Sequence, residues 1–112
     1  MVVYSVVTCV VKPQKQEEFM KSVQKYIKYG EENPEKFKET KSFRVFNQIF
    51  SVDTYILIWE YLSSEDFKEF YKRLSEDEEG NKIWQEIMLL TDYSNFNLWN
   101  AINITPIWEM NR

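Results

Sequence analysis

A polar side chain on an otherwise apolar strand must find a partner or serve a ligand, because burying it alone is costly. Four residues fit that description in the middle of the chain: Arg44, Asn47, Gln48 and Glu60. Asn47 shares strand parity with Phe43, Val45 and Ile49, whereas Arg44 falls with Phe46, Gln48 and Phe50. The two cannot enter one cavity unless a bulge intervenes. An amide in the setting of Asn47 either orients a ligand carbonyl or satisfies a backbone group. For Glu60, a charge pair across a subunit interface with a residue such as Arg44 outweighs a catalytic role. Core packing accounts first for the spacing of Trp59, Tyr71 and Trp84; the alternative makes them walls of an apolar pocket with a phenol as its polar handle. Asn47, Trp59, Tyr71 and Trp84 are accordingly the candidate ligand-binding residues, and no catalytic residue or metal ligand is singled out.

What the chain lacks narrows the chemistry further. Its 112 residues include no histidine, the usual ligand of zinc, copper and haem iron and the usual base behind a Ser or Cys nucleophile. Cys9 is the single cysteine, which excludes an intrachain disulfide and reads as a small buried hydrophobe in a reduced, cytoplasmic setting. With no Gly-rich phosphate loop either, neither a metal nor an organic cofactor is expected. Fourteen Lys and Arg against 18 Asp and Glu leave a net charge of −4, which disfavours nucleic acid and anionic membranes as partners. Met1 to Val11 is apolar but has no basic leader or small-residue cleavage pattern, and Lys12-Pro13 follows too soon for a membrane span. A strand is expected there. Asn103-Ile104-Thr105 matches the N-glycosylation acceptor pattern inside a strand-like run, and is read as accidental.

The elements that must position these residues follow from periodicity. Hydrophobic residues make up 44% and aromatics 17% of the chain, with only 2 glycines and 3 prolines, so one domain of long regular elements is expected rather than a turn-dense sandwich. Val2 to Val11 is apolar at both parities and reads as a strand covered on both sides. After Pro13, the stripe Phe19, Met20, Val23, Tyr26, Ile27 predicts an amphipathic helix from Gln14, closed by Gly30. Asn33-Pro34-Glu35 suggests a short extra turn carrying Phe37. Phe43 to Phe50 and Thr54 to Leu62 should pair antiparallel around Ser51-Val52-Asp53. Ser63-Ser64-Glu65-Asp66 caps a second helix with Phe67, Phe70, Tyr71 and Leu74 on its buried face. The acidic stretch from Ser75 to Gly80 interrupts it, and Ile83, Trp84, Ile87 and Met88 resume helical spacing to about Leu90. Thr91 to Asn95 reads as a loop, and Phe96 to Trp108 as an overlong last strand.

The order β-α-β-β-α-β, with the second helix broken, predicts an α+β ferredoxin-like fold: a four-stranded antiparallel sheet with helices on one face. The other face cannot be left to water, since Ile56, Ile58 and Leu62 oppose Tyr55, Leu57, Trp59 and Tyr61 on the third strand. A second copy packed sheet to sheet, with the last strand reaching across, covers it economically.

The stretch Tyr55-Ile56-Leu57-Ile58-Trp59-Glu60-Tyr61-Leu62-Ser63-Ser64-Glu65-Asp66-Phe67 resembles the strand-to-helix segment of the dimeric α/β-barrel superfamily, that of antibiotic-biosynthesis-type monooxygenases and NIPSNAP-like domains. Glu60 and the Ser64/Asp66 cap match that pattern. Leu62 stands where such proteins usually have Trp, and Tyr71 where many have a helix histidine. The resemblance implies a dimeric α/β barrel, and an oxygenase of that type needs no metal or organic cofactor because the substrate's own carbanion reacts with oxygen. Three functions are compatible with these features: a cofactor-independent oxygenase-like enzyme acting on an aromatic or polyketide-like substrate, a non-catalytic homodimeric module that binds a small apolar ligand or a protein, and an RNA-recognition domain. The last is rejected, because Thr54 to Tyr61 has neither the glycine nor the basic residue its central strand requires.

Overall fold

The computed structural model describes residues 1–102, in the order β1 (Val3–Val11), α1 (Gln16–Glu32), a 3₁₀ turn (Pro34–Phe37), β2 (Thr40–Gln48), β3 (Ser51–Tyr61), α2 (Ser64–Ser75), α3 (Glu78–Met88) and β4 (Thr91–Asn100). All neighbouring strands are antiparallel, in the sheet order β2-β3-β1-β4. This is the ferredoxin-like α+β arrangement with its second helix in two pieces.

β1 shows why the layers form. Its odd positions Val3, Ser5, Val7, Cys9 and Val11 are all buried and its even positions only half so. The odd face meets the α1 stripe Phe19, Val23, Tyr26 and Tyr29, the α3 residues Ile83 and Ile87, and Tyr55, Leu57, Trp59 and Tyr61 of β3. Each such side chain contributes about 1.5–3 kcal/mol by leaving water. Burial also pushes the Cys9 thiol up to about 11, so it is an inert hydrophobe.

Four local expectations shift. The α1 helix runs past Gly30 to Glu32, and its fourth buried position is Tyr29, while Ile27 is exposed. Gly30 lies inside the helix with ordinary helical backbone, and the Phe37 ring packs over it at a normal contact distance of 3.7 Å from where a Cβ would sit. The β2–β3 turn is the exposed pair Ile49-Phe50, and Ser51 to Asp53 belong to β3. There Ser51 Oγ lies 2.9 Å from Thr54 Oγ1 of the same strand, and Gln16 at the start of α1 donates to Asp53, so these polar side chains are satisfied. Finally, Thr91 to Asn95 is the start of β4 and not a loop, paired with Thr8 to Val11 across a bulge. Residues 103–108 of the expected last strand, and Asn103-Ile104-Thr105, lie outside the described residues.

The helix break is built from charge. Ser63 caps α2 by accepting from the Asp66 N–H at 3.1 Å, and Asp77 caps α3 by accepting from the Gly80 N–H at 3.2 Å. Asp77 also accepts from the Tyr29 hydroxyl at 2.6 Å and from Lys36 Nζ at 3.2 Å, joining α1, the 3₁₀ turn and the α2–α3 junction. Gly80 is required by this contact, since a Cβ there would lie 2.5 Å from Asp77 Oδ2. Arg73 grips Glu39 with two hydrogen bonds of 2.5 and 2.6 Å, tying α2 to the approach of β2.

Two buried hydroxyls, Tyr61 OH and Thr40 Oγ1, have no hydrogen-bond partner among the described residues. They belong to residues paired across the β2–β3 ladder. Removing an unpartnered buried hydroxyl relieves desolvation cost without losing a bond. Tyr61→Phe should therefore leave stability unchanged or raise it, by up to about 1 kcal/mol; a loss of that size, read from thermal melts, would show that the phenol has a partner in solution.

Candidate functional site

Between the sheet and the α2–α3 pair lies a cavity of about 110 Å³ whose walls include Ser5, Trp59, Phe67, Tyr71, Trp84 and Phe96. It opens onto a wider mouth of about 540 Å³ that shares Phe67, Tyr71, Trp84 and Phe96 and adds Ser94 and Asn95 of β4. The helix break makes this space possible: Tyr71 comes from α2 and Trp84 from α3, and each helix presents its own aromatic to the sheet.

The inner wall is closely packed. Trp59 Nε1 donates to the Tyr26 hydroxyl at 3.2 Å, with both residues at most 5% exposed. Trp84 stands against Trp59 at 5.5 Å and 67°, and against Tyr26 at 5.8 Å and 57°. Burial pushes the Tyr26 phenol upward, the Trp59 bond works against this and the Asp77 charge adds to it, so Tyr26 stays neutral at physiological pH. The outer rim is a run of rings: Phe67 lies 5.9 Å from Tyr71 and 6.2 Å, nearly parallel, from Phe96. Tyr71 is 61% exposed, which places it at the mouth and not on the floor.

Trp59, Tyr71 and Trp84 thus line one cavity. Asn47 stands apart, exposed at the far end of β2, where its amide donates to the carbonyls of Val52 at 3.1 Å and Thr54 at 3.0 Å. Those bonds bridge the irregularity where Asn47 pairs with Tyr55 but Gln48 pairs with Ser51. Glu60 accepts from Ser42 Oγ at 2.8 Å and lies 3.8 Å from Arg44 Nη2, so this charge pair forms within one chain. Three contributors escaped sequence reasoning. Ser5 carried a signal, as the polar member of the buried parity of β1. Phe67 was placed on the buried face of α2 without a cavity role, and Phe96 sits on a strand whose start was misplaced.

Chemically, the cavity offers π-faces, hydroxyls and, at the mouth, an amide. Among the described residues its lining holds no carboxylate, amine or imidazole that could serve as a general base near neutral pH. Among the described residues no group of three or more Cys, Asp or Glu is arranged to hold a metal.

No family model matches the chain, and no curated protein matches it. Solved structures do. SnoaB, a cofactor-independent oxygenase from Streptomyces nogalater, is 13% identical over 94% of this chain and 97% of its own, with a TM-score of 0.72. A NIPSNAP family protein from Agrobacterium tumefaciens is 18% identical over 96% and 99%, with a TM-score of 0.71. A conserved protein from Methanosarcina mazei Go1 is 16% identical over 91% and 94%, with a TM-score of 0.72. The fold of this chain is therefore the ferredoxin-like fold found in proteins described as antibiotic-biosynthesis monooxygenases and in NIPSNAP proteins.

Proposed function

We propose that this protein binds a flat aromatic molecule of phenolic or quinone type in the cavity between the sheet and α2–α3, and does so as a homodimer. The carrying observation is the wall itself: Trp59, Phe67, Trp84 and Phe96 present ring surfaces around one space, with Ser5 and Tyr71 as hydroxyl contacts. Such a lining gains from stacking and apolar burial and uses a few polar groups for orientation. Dimerisation is supported by the uncovered sheet face, where Tyr4, Val6, Phe46, Ile58 and Trp99 surround a groove with Arg44. Phe46 is 49% and Trp99 57% exposed, an apolar patch that a second copy would remove from water.

A second function, oxygenation of the bound molecule, is favoured by the shared fold with a cofactor-independent oxygenase. Because the described lining offers no carboxylate, amine or imidazole, this reading takes the substrate itself to be acidic enough to ionise. An anthrone-type methylene would lose a proton to solvent, and the carbanion would take one oxygen atom of O₂ as a ketone while the other leaves as water.

Titration of tryptophan fluorescence with hydroxylated naphthoquinones and anthrones tests both. Wild type should show saturable quenching, and Trp84→Ala should weaken it at least about tenfold by removing a stacking wall. Tyr71→Phe should weaken phenolic ligands only, by a few-fold, with an unchanged melt. No saturable binding by any of them would overturn the binding function; binding without enzyme-dependent oxygen uptake would overturn oxygenation alone.

A further inference from the structure

Among the described buried residues, Ser5 alone has a small polar side chain; it is 4% exposed, on the β1 face otherwise made of Val3, Val7, Cys9 and Val11. It is flanked across the ladder by Trp59 of β3 and Leu98 of β4, whose side chains share its face. Between those two large neighbours a hydroxymethyl group leaves a recess, and there the inner cavity of about 110 Å³ reaches the sheet, with Ser5 in its lining. The lining of the wider mouth does not include Ser5, so its side chain belongs to the inner end of the site.

Serine at this position works against the fold in two ways. Valine would continue the apolar face and is the better strand former. A buried hydroxyl without a partner also costs stability. The serine hydroxyls that take part in hydrogen bonds within the described residues are those of Ser42, Ser51, Ser63, Ser64 and Ser75; that of Ser5 does not. Nor is it sealed off as Thr40 Oγ1 and Tyr61 OH are, so its open surface is the one it turns to the cavity it lines. A residue that weakens the fold while lining a cavity points to a ligand. The space also sets the size of what enters. A dry apolar cavity of about 150 Å³ holds one benzene, so an inner space of about 110 Å³, continuous with the mouth, takes no more than one ring. The rest of a fused ligand then lies in the mouth beside Phe67, Tyr71 and Phe96.

We propose, resting on the aromatic-ligand function above, that Ser5 is the specificity-determining contact of that site: it selects fused aromatic ligands that carry an oxygen at the outer end of a terminal ring and enter with that ring first. An oxygen at the leading end meets Ser5 Oγ, which can donate to a carbonyl or accept from a phenol. An oxygen on the flank of the ring faces apolar lining such as Val7, Phe70 and Leu74 and is desolvated without a partner.

The test titrates the full chain by isothermal calorimetry with two isomers of equal size: 2-naphthol, whose oxygen extends the long axis, and 1-naphthol, whose oxygen projects from the flank. Wild type should bind 2-naphthol about fivefold more tightly. Ser5→Ala should erase that preference by weakening 2-naphthol about fivefold, with the melt unchanged because the lost hydroxyl has no partner in the chain. Ser5→Val should fill the recess and weaken both isomers at least about thirtyfold, while the thermal midpoint stays the same or rises. Binding without isomer preference, a preference that survives Ser5→Ala, undiminished binding by Ser5→Val, or a melt lowered by either substitution would each overturn the proposal and leave the aromatic-ligand function standing. Wild type that binds naphthoquinones or anthrones but neither naphthol would do the same, and binding of none of these would overturn both.

Discussion

Ile58→Lys is expected to turn the proposed homodimer into a monomer without unfolding the chain. Ile58 lies on the uncovered face of β3, paired with Val6 of β1 and Arg44 of β2. In a lone chain its side chain is only partly buried, so a lysine there can extend its ammonium into water. In a sheet-to-sheet dimer, each mutant chain places a cation inside the interface. Glu60, two residues along, does not compensate freely because it already serves Ser42 and Arg44. Two poorly solvated ammonium groups should cost about 4 kcal/mol together, roughly a thousandfold in the dissociation constant. Sedimentation equilibrium at micromolar concentration should give twice the chain mass of 13.7 kDa for wild type and that mass itself for the variant. A wild-type monomer would remove the dimer proposal, and a dimeric variant would place any interface elsewhere. Leu57→Ala, one residue away but fully buried against the helices, should instead cost about 3 kcal/mol of stability.

That those neighbouring positions lie on opposite faces was legible in the sequence, because a strand has a strict period of two, but β3 is apolar at both parities and so did not say which face meets the helices. Periodicity likewise revealed α1 and the break in the second helix, and the polar run from Ser63 to Asp66 marked the start of α2, where Ser63 rather than Ser64 proves to be the capping residue. Boundaries were harder where apolar type and exposure disagree. Ile49 and Phe50 form the exposed turn, so patterning moved the loop onto the more polar Ser51 to Asp53, whose side chains are satisfied by partners remote in sequence or within the strand itself. The polar stretch Thr91 to Asn95 looked like a loop, yet among the described residues it lies at a sheet edge, where polar residues are tolerated.

The candidate site divides along the same line. Trp59 and Trp84 could be brought together on paper because each sits on the buried stripe of a strongly periodic element. Asn47 shares the buried parity of Phe43 and Val45, but parity does not say where along a strand the helical layer stops covering it. At Asn47 cover has ended, and the amide completes an irregular hairpin instead. The network around Asp77 was invisible for another reason. The acidic run from Glu76 to Glu79 looks like a solvated stretch, and nothing local distinguishes the one carboxylate that meets Tyr29 and Lys36, 48 and 41 residues away.

That carboxylate carries the second large effect. Asp77→Ala should destabilise the chain by about 3 kcal/mol, from the lost α3 cap and from a Tyr29 hydroxyl left without its acceptor in a half-buried setting. For a chain of this size that is a fall of about 13 °C in the thermal midpoint. Asp77→Asn keeps the shape and part of the cap and should lose roughly half as much. The effect should also depend on pH in a definite direction. Burial alone would raise the Asp77 carboxyl, but the hydrogen bonds from Tyr29, Gly80 and Lys36 outweigh it and hold the group below its ordinary value. The Arg73 hydrogen bonds hold Glu39 down in the same way, against burial. A carboxyl that binds its proton less readily when folded contributes stability that is complete above its unfolded pKa, about 4, and is lost as pH falls through the lower folded value. Wild-type melts should therefore be flat in this contribution down to about pH 5 and decline below about pH 4. In Asp77→Ala that acid decline should be shallower, Glu39 alone of the pair remaining to be protonated. Parallel declines for the two proteins would mean that the Asp77 carboxylate is not tied to folding, whatever its neighbours.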